Sequence, residues 1–180
     1  MLRAVCVASL LLALSSTSVA QDHYAEILIT LERTGCYGAC PIYKVAIHGD
    51  GSVSYEGQNF VRIVGRQERR IDPAEVQGLV RAFLDIDYFG LQDSYLTIKN
   101  QDGSETDVTD LPTTKTSLSL GEKSKRVEDY IGAPEKLGDL ERKIDEVAGT
   151  KRWVSIDAPT LHEEYLRGWN VRGPDAQALL

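Results

Sequence analysis

Two cysteines lie close together in residues 34–41 (TGCYGACP), and a pair of thiols supports three kinds of chemistry. Cys36 and Cys40 can form a structural disulfide, act as a thiol–disulfide redox pair, or bind Cu(I). We expect Gly35 and Gly38 to adopt backbone angles that other residues resist, which would let the chain fold back and bring the two sulfur atoms together. Pro41 restricts the backbone of the cysteine before it.

The structural disulfide is favoured over a reactive site. A catalytic thiol is usually activated at a helix N-terminus, whereas a strand pattern follows Pro41. The C-x-x-x-C-P pattern also occurs in thioredoxin-like copper chaperones of the Sco type, but copper binding there needs a histidine as well. His48 lies eight residues beyond Cys40, which is about 26 Å along an extended strand. The alternative metal set is therefore Cys36, Cys40 and His162, and otherwise we expect no cofactor and no catalytic residue.

An acidic segment is a weaker candidate for a cation site or for acid–base catalysis. Its carboxylates belong to Asp102, Glu105, Asp107 and Asp110. Oxygen ligands suit Ca²⁺, but the spacing does not fit an EF-hand loop, because Gly103 in the glycine position would put Ile98 at the first ligand position. Acid–base catalysis needs two carboxyl groups in different environments. The sequence favours a solvated loop.

A basic segment stands out in an otherwise acidic chain. Its arginines are Arg62, Arg66, Arg69 and Arg70. They are typical of a solvated strand face, and the alternative is a surface for an anionic partner. The chain contains no Gly-x-Ser-x-Gly, His-Glu-x-x-His, Walker or Rossmann motif. This absence favours a non-catalytic role.

The N-terminus predicts export. Arg3 precedes the apolar residues 4–14, and Ser18 and Ala20 occupy the positions that signal peptidase reads. We therefore predict a signal peptide over residues 1–20, cleaved after Ala20, and a periplasmic or secreted mature protein. The two cysteines that remain form an even number, which favours a disulfide in an oxidising compartment.

Composition limits the class of protein. The chain has 180 residues, 42% of them hydrophobic, and a net charge of −7. These values predict one globular domain rather than a disordered chain. The acidic balance argues against a nucleic-acid binder, and no apolar run after the signal peptide is long enough to cross a bilayer.

Alternating apolar residues predict an antiparallel meander that carries the cysteine loop. Strands are expected over residues 26–33, 42–48, 52–55 and 60–64, because period-two alternation is typical of half-buried strands. A glycine turn at residues 49–51 joins the second strand to the third. After a polar loop over 88–112, a second hairpin is predicted from 114–120 and 125–131.

Helical spacing predicts two main helices. The first starts at Asp72-Pro73 and would bury Val76, Leu79, Val80, Phe83 and Leu84. The second starts at Pro134, would bury Leu137, Leu140, Ile144 and Val147, and ends at Gly149. Trp153 should pack back on the domain. The predicted fold is α+β with two layers, an antiparallel meander and hairpin having two main helices packed on one face.

The predicted organisation is a signal peptide (1–20), a single α+β domain (21–155) and a C-terminal segment (156–180). In that last segment we expect a short helix over 158–167 followed by a mobile tail.

Longer runs of the sequence resemble a bacterial family known as a domain of unknown function. The runs are ITLERTGCYGACPIYKVAIHGDGSVSYEG, IDPAEVQGLVRAF, TDLPTTKTSLSL and KRVEDYIGAPEKLGDLERKIDEVAGTKRWV. Members of that family look like exported or lipoprotein-like proteins with a T-G-C-x-G-x-C-P-x-Y signature. Here its residues are Thr34, Gly35, Cys36, Gly38, Cys40, Pro41 and Tyr43. The resemblance implies a single domain in the cell envelope and brings no catalytic residues. Because the lipid-attachment cysteine is missing, we expect an unanchored mature chain.

Three functions are consistent with these observations. The first is a non-catalytic envelope domain that binds a protein or peptide or has a structural role, with the Cys36–Cys40 loop as a rigid presenting element. The second is a thiol/disulfide or Cu(I)-binding protein. The third is a hydrolase that uses the acidic segment.

Overall fold

The computed structural model describes residues 26–155. Its strands are β1 (Ile27–Arg33), β2 (Ile42–His48), β3 (Ser52–Asn59), β4 (Gly65–Arg70), β5 (Ser94–Tyr95), β6 (Ile98–Lys99), β7 (Glu105–Thr106), β8 (Thr114–Leu120) and β9 (Lys123–Asp129). Seven of them form one sheet in the order β4-β3-β2-β1-β8-β9-β5, while β6 and β7 form a separate hairpin. Its helices are α1 (Pro73–Asp85), a 3₁₀ helix (Tyr88–Gly90), α2 (Glu135–Ala148) and α3 (Lys151–Val154). The α+β prediction is confirmed.

The main sheet is antiparallel except at one edge, where β5 runs parallel to β9. The β2–β3 turn follows the glycine pattern, since Gly51 has a φ of +85°. The central contact is between β1 and β8, which brings the meander and the second hairpin into one sheet. As a result the cysteine loop, which joins β1 to β2, lies next to the chain that leads into β8.

The predicted strand over residues 60–64 is wrong. The third strand continues through Gly57 to Asn59, and the fourth begins only at Gly65. Residues 60–64 form a turn in which Phe60, with a φ of +51°, and Val61 are buried. The apolar pattern of these residues in the sequence resembles that of a short strand, although the side chains are buried in a turn. Gly57 is required for close packing, because a Cβ there would lie 2.2 Å from the carbonyl oxygen of Ile63.

Smaller differences concern the second half of the chain. The ninth strand covers 123–129 rather than 125–131. Residues 88–112 contain three two-residue strands and the 3₁₀ helix, and Tyr88 at the start of that helix is fully buried. Its hydroxyl pairs with Thr116 Oγ1 at 2.9 Å, which explains how a tyrosine from a polar segment enters the core.

The first main helix begins as predicted. Asp72 accepts a hydrogen bond from the Ala74 N–H, and Glu75 bonds back to the Asp72 N–H, so the first turn has a complete capping box. Four of its five predicted core residues are buried, but Leu84 is 49% exposed. The α2 helix ends at Gly149, whose φ of 69° forms a left-handed cap.

The core lies between the helices and one face of the sheet. The buried strand residues alternate, as in Ile27, Ile29 and Leu31 of β1, and the helices contribute Phe83, Leu137 and others. Trp153 packs back as predicted, with its ring 4.9 Å from that of Tyr55. None of the helices within residues 26–155 has the length and apolar character needed to cross a bilayer. The predicted helix over 158–167 lies outside the described residues.

Candidate functional site

The loop between β1 and β2 is closed by a disulfide between Cys36 and Cys40, whose Cα atoms lie 5.7 Å apart. Hydrogen bonds on either side of Cys36 fix this ring to the segment before β8. The Thr34 N–H donates to the Thr113 carbonyl, the Thr113 N–H donates to Thr34 Oγ1, and the Tyr37 N–H donates to the Asp110 carbonyl. The ring is therefore held by its own covalent bond and by chain that is distant in sequence.

The two signature glycines have a different role from the one expected. Neither Gly35 nor Gly38 has a positive φ, so the turn does not depend on left-handed backbone. A Cβ at Gly35 would instead make a tight contact of 3.1 Å with Ile42 Cδ1, the end of a side chain that can shift to accommodate it. A Cβ at Gly38 would make only an ordinary contact of 3.6 Å with Cys36 Sγ.

Tyr37 lies in the ring, directly after Cys36, and is 67% exposed. The backbone of the same residue is fixed by its bond to Asp110, which itself has a φ of +71°. A non-glycine residue in this region carries some conformational strain, although aspartate tolerates it better than most. The loop thus presents an aromatic side chain from a backbone that is closely defined.

A row of polar side chains crosses the sheet directly beneath the ring, on the face that the helices cover. Register places Tyr43 of β2 beside Arg33 of β1, Arg33 beside Thr114 of β8, and Thr114 beside Asp129 of β9. Because Arg33 and Tyr43 are inward-facing residues at the ends of the strands that the ring joins, this row forms the base of the loop.

Asp145 of α2 connects this row to the helix layer. Its Oδ2 accepts hydrogen bonds from Arg33 Nε at 3.0 Å and Nη2 at 2.8 Å, and its Oδ1 accepts from Tyr43 Oη at 2.7 Å and Thr150 Oγ1 at 2.8 Å. Arg33 also donates to Tyr43 Oη and to Thr114 Oγ1, at 3.0 Å each. Charge-assisted hydrogen bonds of this kind belong to the strong class. Burial raises the pKa of Tyr43, so its phenol stays protonated and acts as a donor.

Glu141 lies one helical turn before Asp145 and is only 5% exposed. Its Oε1 has no hydrogen-bond partner among residues 26–155, and its Oε2 is 4.0 Å from Arg33 Nη1. Burial, together with the nearby carboxylate of Asp129, raises the pKa of Glu141 to about 7. Burial also raises the pKa of Asp129. Burial thus favours the protonated form of both Glu141 and Asp129, and the positive charge of Arg33 opposes this effect at each of them.

The family follows from a comparison with known sequences. The model of the family described as a domain of unknown function (DUF6438) matches residues 27–148. The chain belongs to this family. No curated protein matches the chain significantly. The DUF6438 region spans both the disulfide ring and Asp145, so the loop and the polar cluster beneath it lie within one family domain.

Cys36 and Cys40 of this DUF6438 domain are bonded to each other in the disulfide. A strand follows Pro41, whereas a reactive cysteine usually lies at the N-terminus of a helix. His48 lies at the far end of that strand. Within residues 26–155, no group of three or more His, Cys, Asp or Glu side chains is arranged to hold a metal ion. The alternative copper ligand, His162, lies outside these residues, so that hypothesis stays a prediction.

The acidic segment surrounds the small β6–β7 hairpin and is exposed. Asp102 accepts hydrogen bonds from the Ser104 N–H at 3.0 Å and from Ser104 Oγ at 2.7 Å, which closes the turn. Asp110 supplies the carbonyl that holds the Tyr37 N–H. The structure therefore brings this segment next to the disulfide ring, a contact that the sequence analysis did not include.

Most arginines of the basic segment make contacts within the domain. Arg62 donates to the Arg152 carbonyl, Arg69 donates to the Ala148 carbonyl, and Arg70 pairs with Asp50 at 2.9 Å. Arg66 is exposed on β4. Because three of the four arginines make intramolecular contacts, they are a weak basis for an anion-binding surface.

Sequence reasoning missed the cluster beneath the loop, although the pattern contained a signal for it. Arg33 continues the inward alternation of Ile27, Ile29 and Leu31, so it falls on the buried face. Glu141 lies four residues after the buried Leu137 on the same side of α2. A charged residue in an inward position of a strand, together with a carboxylate in the apolar stripe of a helix, indicates a buried ion pair.

Proposed function

We propose that this protein is an exported, non-catalytic domain that binds a protein or peptide of the cell envelope through its disulfide ring. The observation that carries the proposal is the position of Tyr37, which is exposed in a ring closed by the disulfide and hydrogen-bonded to residues 110–113. Tyrosine is enriched among the residues that dominate binding energy at protein interfaces.

The rigidity of the ring supports a binding role. A loop that is already ordered before binding loses little conformational entropy in the complex. The backbone of the ring is fixed by the disulfide, by the Thr34–Thr113 pair and by the Tyr37–Asp110 hydrogen bond. The Tyr37 side chain, which is 67% exposed, therefore projects from a backbone that is ordered before binding.

Export is supported by independent features of the sequence. The residues before Gln21 match a cleavable signal peptide, and disulfides persist mainly in oxidising compartments. The resemblance to exported bacterial proteins with the T-G-C-x-G-x-C-P-x-Y signature agrees with a periplasmic or secreted location.

Site-specific photo-crosslinking in the producing cells tests this proposal. The photoreactive residue p-benzoylphenylalanine is placed at position 37 and, as a control, at position 84, where Leu84 is exposed on α1. We expect a discrete crosslinked product at position 37 that is absent at position 84. The same product should weaken when Cys36→Ser and Cys40→Ser open the ring.

Three outcomes would contradict the proposal. They are no product at position 37, the same product at both positions, or a product that is unchanged in the open-ring variant. Mass spectrometry of the mature protein, with and without alkylation, checks export separately. It should show an N-terminus at Gln21 and no alkylated cysteine, whereas an intact N-terminus with all three cysteines alkylated would contradict export.

A further inference from the structure

Exposed apolar side chains gather at one end of the main sheet. At that end β1, β3 and β9 finish and β2, β4 and β8 begin, and β5 finishes there as well because it runs parallel to β9. Among residues 26–155, six large hydrophobic side chains are exposed. Five of them belong to this end and are between 37% and 67% exposed. In order across the sheet they are Val64, Tyr37, Leu111, Leu96 and Ile98. We call this the loop-end surface.

Hydrogen bonds connect the segments that carry Tyr37, Leu111 and Leu96, which form the larger part of this surface. The Tyr37 N–H bonds to the carbonyl before Leu111, the Leu111 N–H bonds to the Tyr130 hydroxyl, and the Tyr130 N–H bonds to the carbonyl before Leu96. Three strand spacings separate β1 from β5, which is about 14 Å at roughly 4.8 Å each. An extended segment of a few residues can span that distance.

The loop-end surface is also locally acidic. Residues 102–110 carry four carboxylates and no lysine or arginine. None of the ion pairs within residues 26–155 includes any of the four. Lys99 lies opposite Glu105 in the β6–β7 pair, so the negative charge beside Tyr37 and Leu111 comes mainly from Asp102, Asp107 and Asp110.

We infer that the loop-end surface binds an extended segment of another protein that carries apolar and basic side chains. This inference rests on the proposed function and specifies its partner. Apolar side chains of the partner would cover the exposed row, and its cations would pair with the carboxylates of residues 102–110. A second copy of this chain fits less well, because a symmetric dimer would bring the same carboxylates against each other.

Peptide titrations followed by NMR test the partner chemistry. The ¹⁵N-labelled mature protein is titrated with three acetylated, amidated peptides, KFKLK, EFELE and KSKSK. We expect KFKLK to shift the amide signals of residues 37, 96–98 and 111 saturably, with an affinity that falls as salt rises. It should bind at least about tenfold more tightly than either of the other peptides, because both apolar contact and opposite charge are needed.

Charge variants separate the two contributions. Asp107→Asn combined with Asp110→Asn removes two charges, and asparagine tolerates the positive φ of Asp110. This variant should weaken KFKLK binding about threefold or more and reduce its salt dependence. The control Asp139→Asn removes one charge from the exposed face of α2 and should leave binding unchanged.

The results distinguish this inference from the proposed function. If a partner crosslinks at position 37 but KFKLK does not bind, or if EFELE binds equally well, the partner chemistry is wrong while the loop function stands. If KFKLK binds as expected but nothing crosslinks in cells, the surface chemistry is right and the envelope function is wrong.

Discussion

Replacing Glu141 with glutamine should make the protein more stable at alkaline pH. The Glu141 carboxyl is buried with one oxygen unpaired, and its pKa in the folded protein is about 7 against a reference value of 4.5. Glutamine has nearly the same shape but cannot ionise. Arg33 keeps its direct hydrogen bonds to Asp145, Tyr43 and Thr114 in the variant, so the substitution leaves no new unpaired charge.

The sign of the pH dependence follows from proton linkage. A carboxyl group whose pKa is raised by folding holds its proton in the folded state after the unfolded chain has lost it. Stability from this group is therefore fully present below about pH 4.5 and is lost as the pH rises through about 7. A difference of about 2.5 pKa units corresponds to roughly 3 kcal/mol, at about 1.4 kcal/mol per unit. Glu141→Gln should remove most of that loss.

Urea unfolding at several pH values between 4.5 and 8.5 measures the effect. We expect similar free energies of unfolding for wild type and Glu141→Gln at pH 4.5, and a variant that is more stable by about 2–3 kcal/mol at pH 8.5. Glu146→Gln, an exposed position on the same helix, is the matched control and should follow the wild type. Parallel pH profiles for wild type and Glu141→Gln would refute the reasoning.

Four further variants test other parts of the domain by the same urea assay. Cys36→Ser with Cys40→Ser should lower the free energy of unfolding by only about 2 kcal/mol, because the ring is small; a loss above about 5 kcal/mol would mean that the whole fold depends on it. Gly57→Ala should cost about 3 kcal/mol or more, since its Cβ would overlap a backbone carbonyl, whereas Gly38→Ala should cost less than about 1 kcal/mol; equal costs would contradict the packing argument. Tyr43→Phe should cost about 1–3 kcal/mol by removing a donor to the half-buried carboxylate of Asp145, and no change would show that the cluster does not hold the strands to the helix.

The fold could be predicted from the sequence where local patterns decide it. Alternation in β1, β2 and β8 and the capping residues of α1 and α2 are local signals, and the structure contains all five elements. The turn at 60–64 could not be separated from a strand, because Phe60 and Val61 are buried by tertiary contacts that a short window does not contain. Leu84 follows the helical spacing and is nevertheless exposed, since nothing covers that side of α1 within the described residues.

The sequence predicts the closed ring of the candidate site but not the long-range contacts around it. The cysteine spacing predicts a closed ring, and residues 36 and 40 are bonded in the structure. The contacts of that ring with residues 110–113 depend on the pairing of β1 with β8, which joins segments about 80 residues apart. Arg33, Glu141 and Asp145 come together for the same reason, because a long-range pairing and a helix docking place them in one cluster.

The hydrogen bonds between the ring and residues 110–113 have a practical consequence for anyone who wants to imitate this loop. A synthetic cyclic peptide of residues 34–41 would keep the covalent closure but would lose the carbonyls of Asp110 and Thr113 that accept its N–H groups. Transplanting those eight residues to an unrelated scaffold would lose them too. A faithful mimic must carry two pieces of chain, the cysteine segment and the stretch that precedes β8, held side by side.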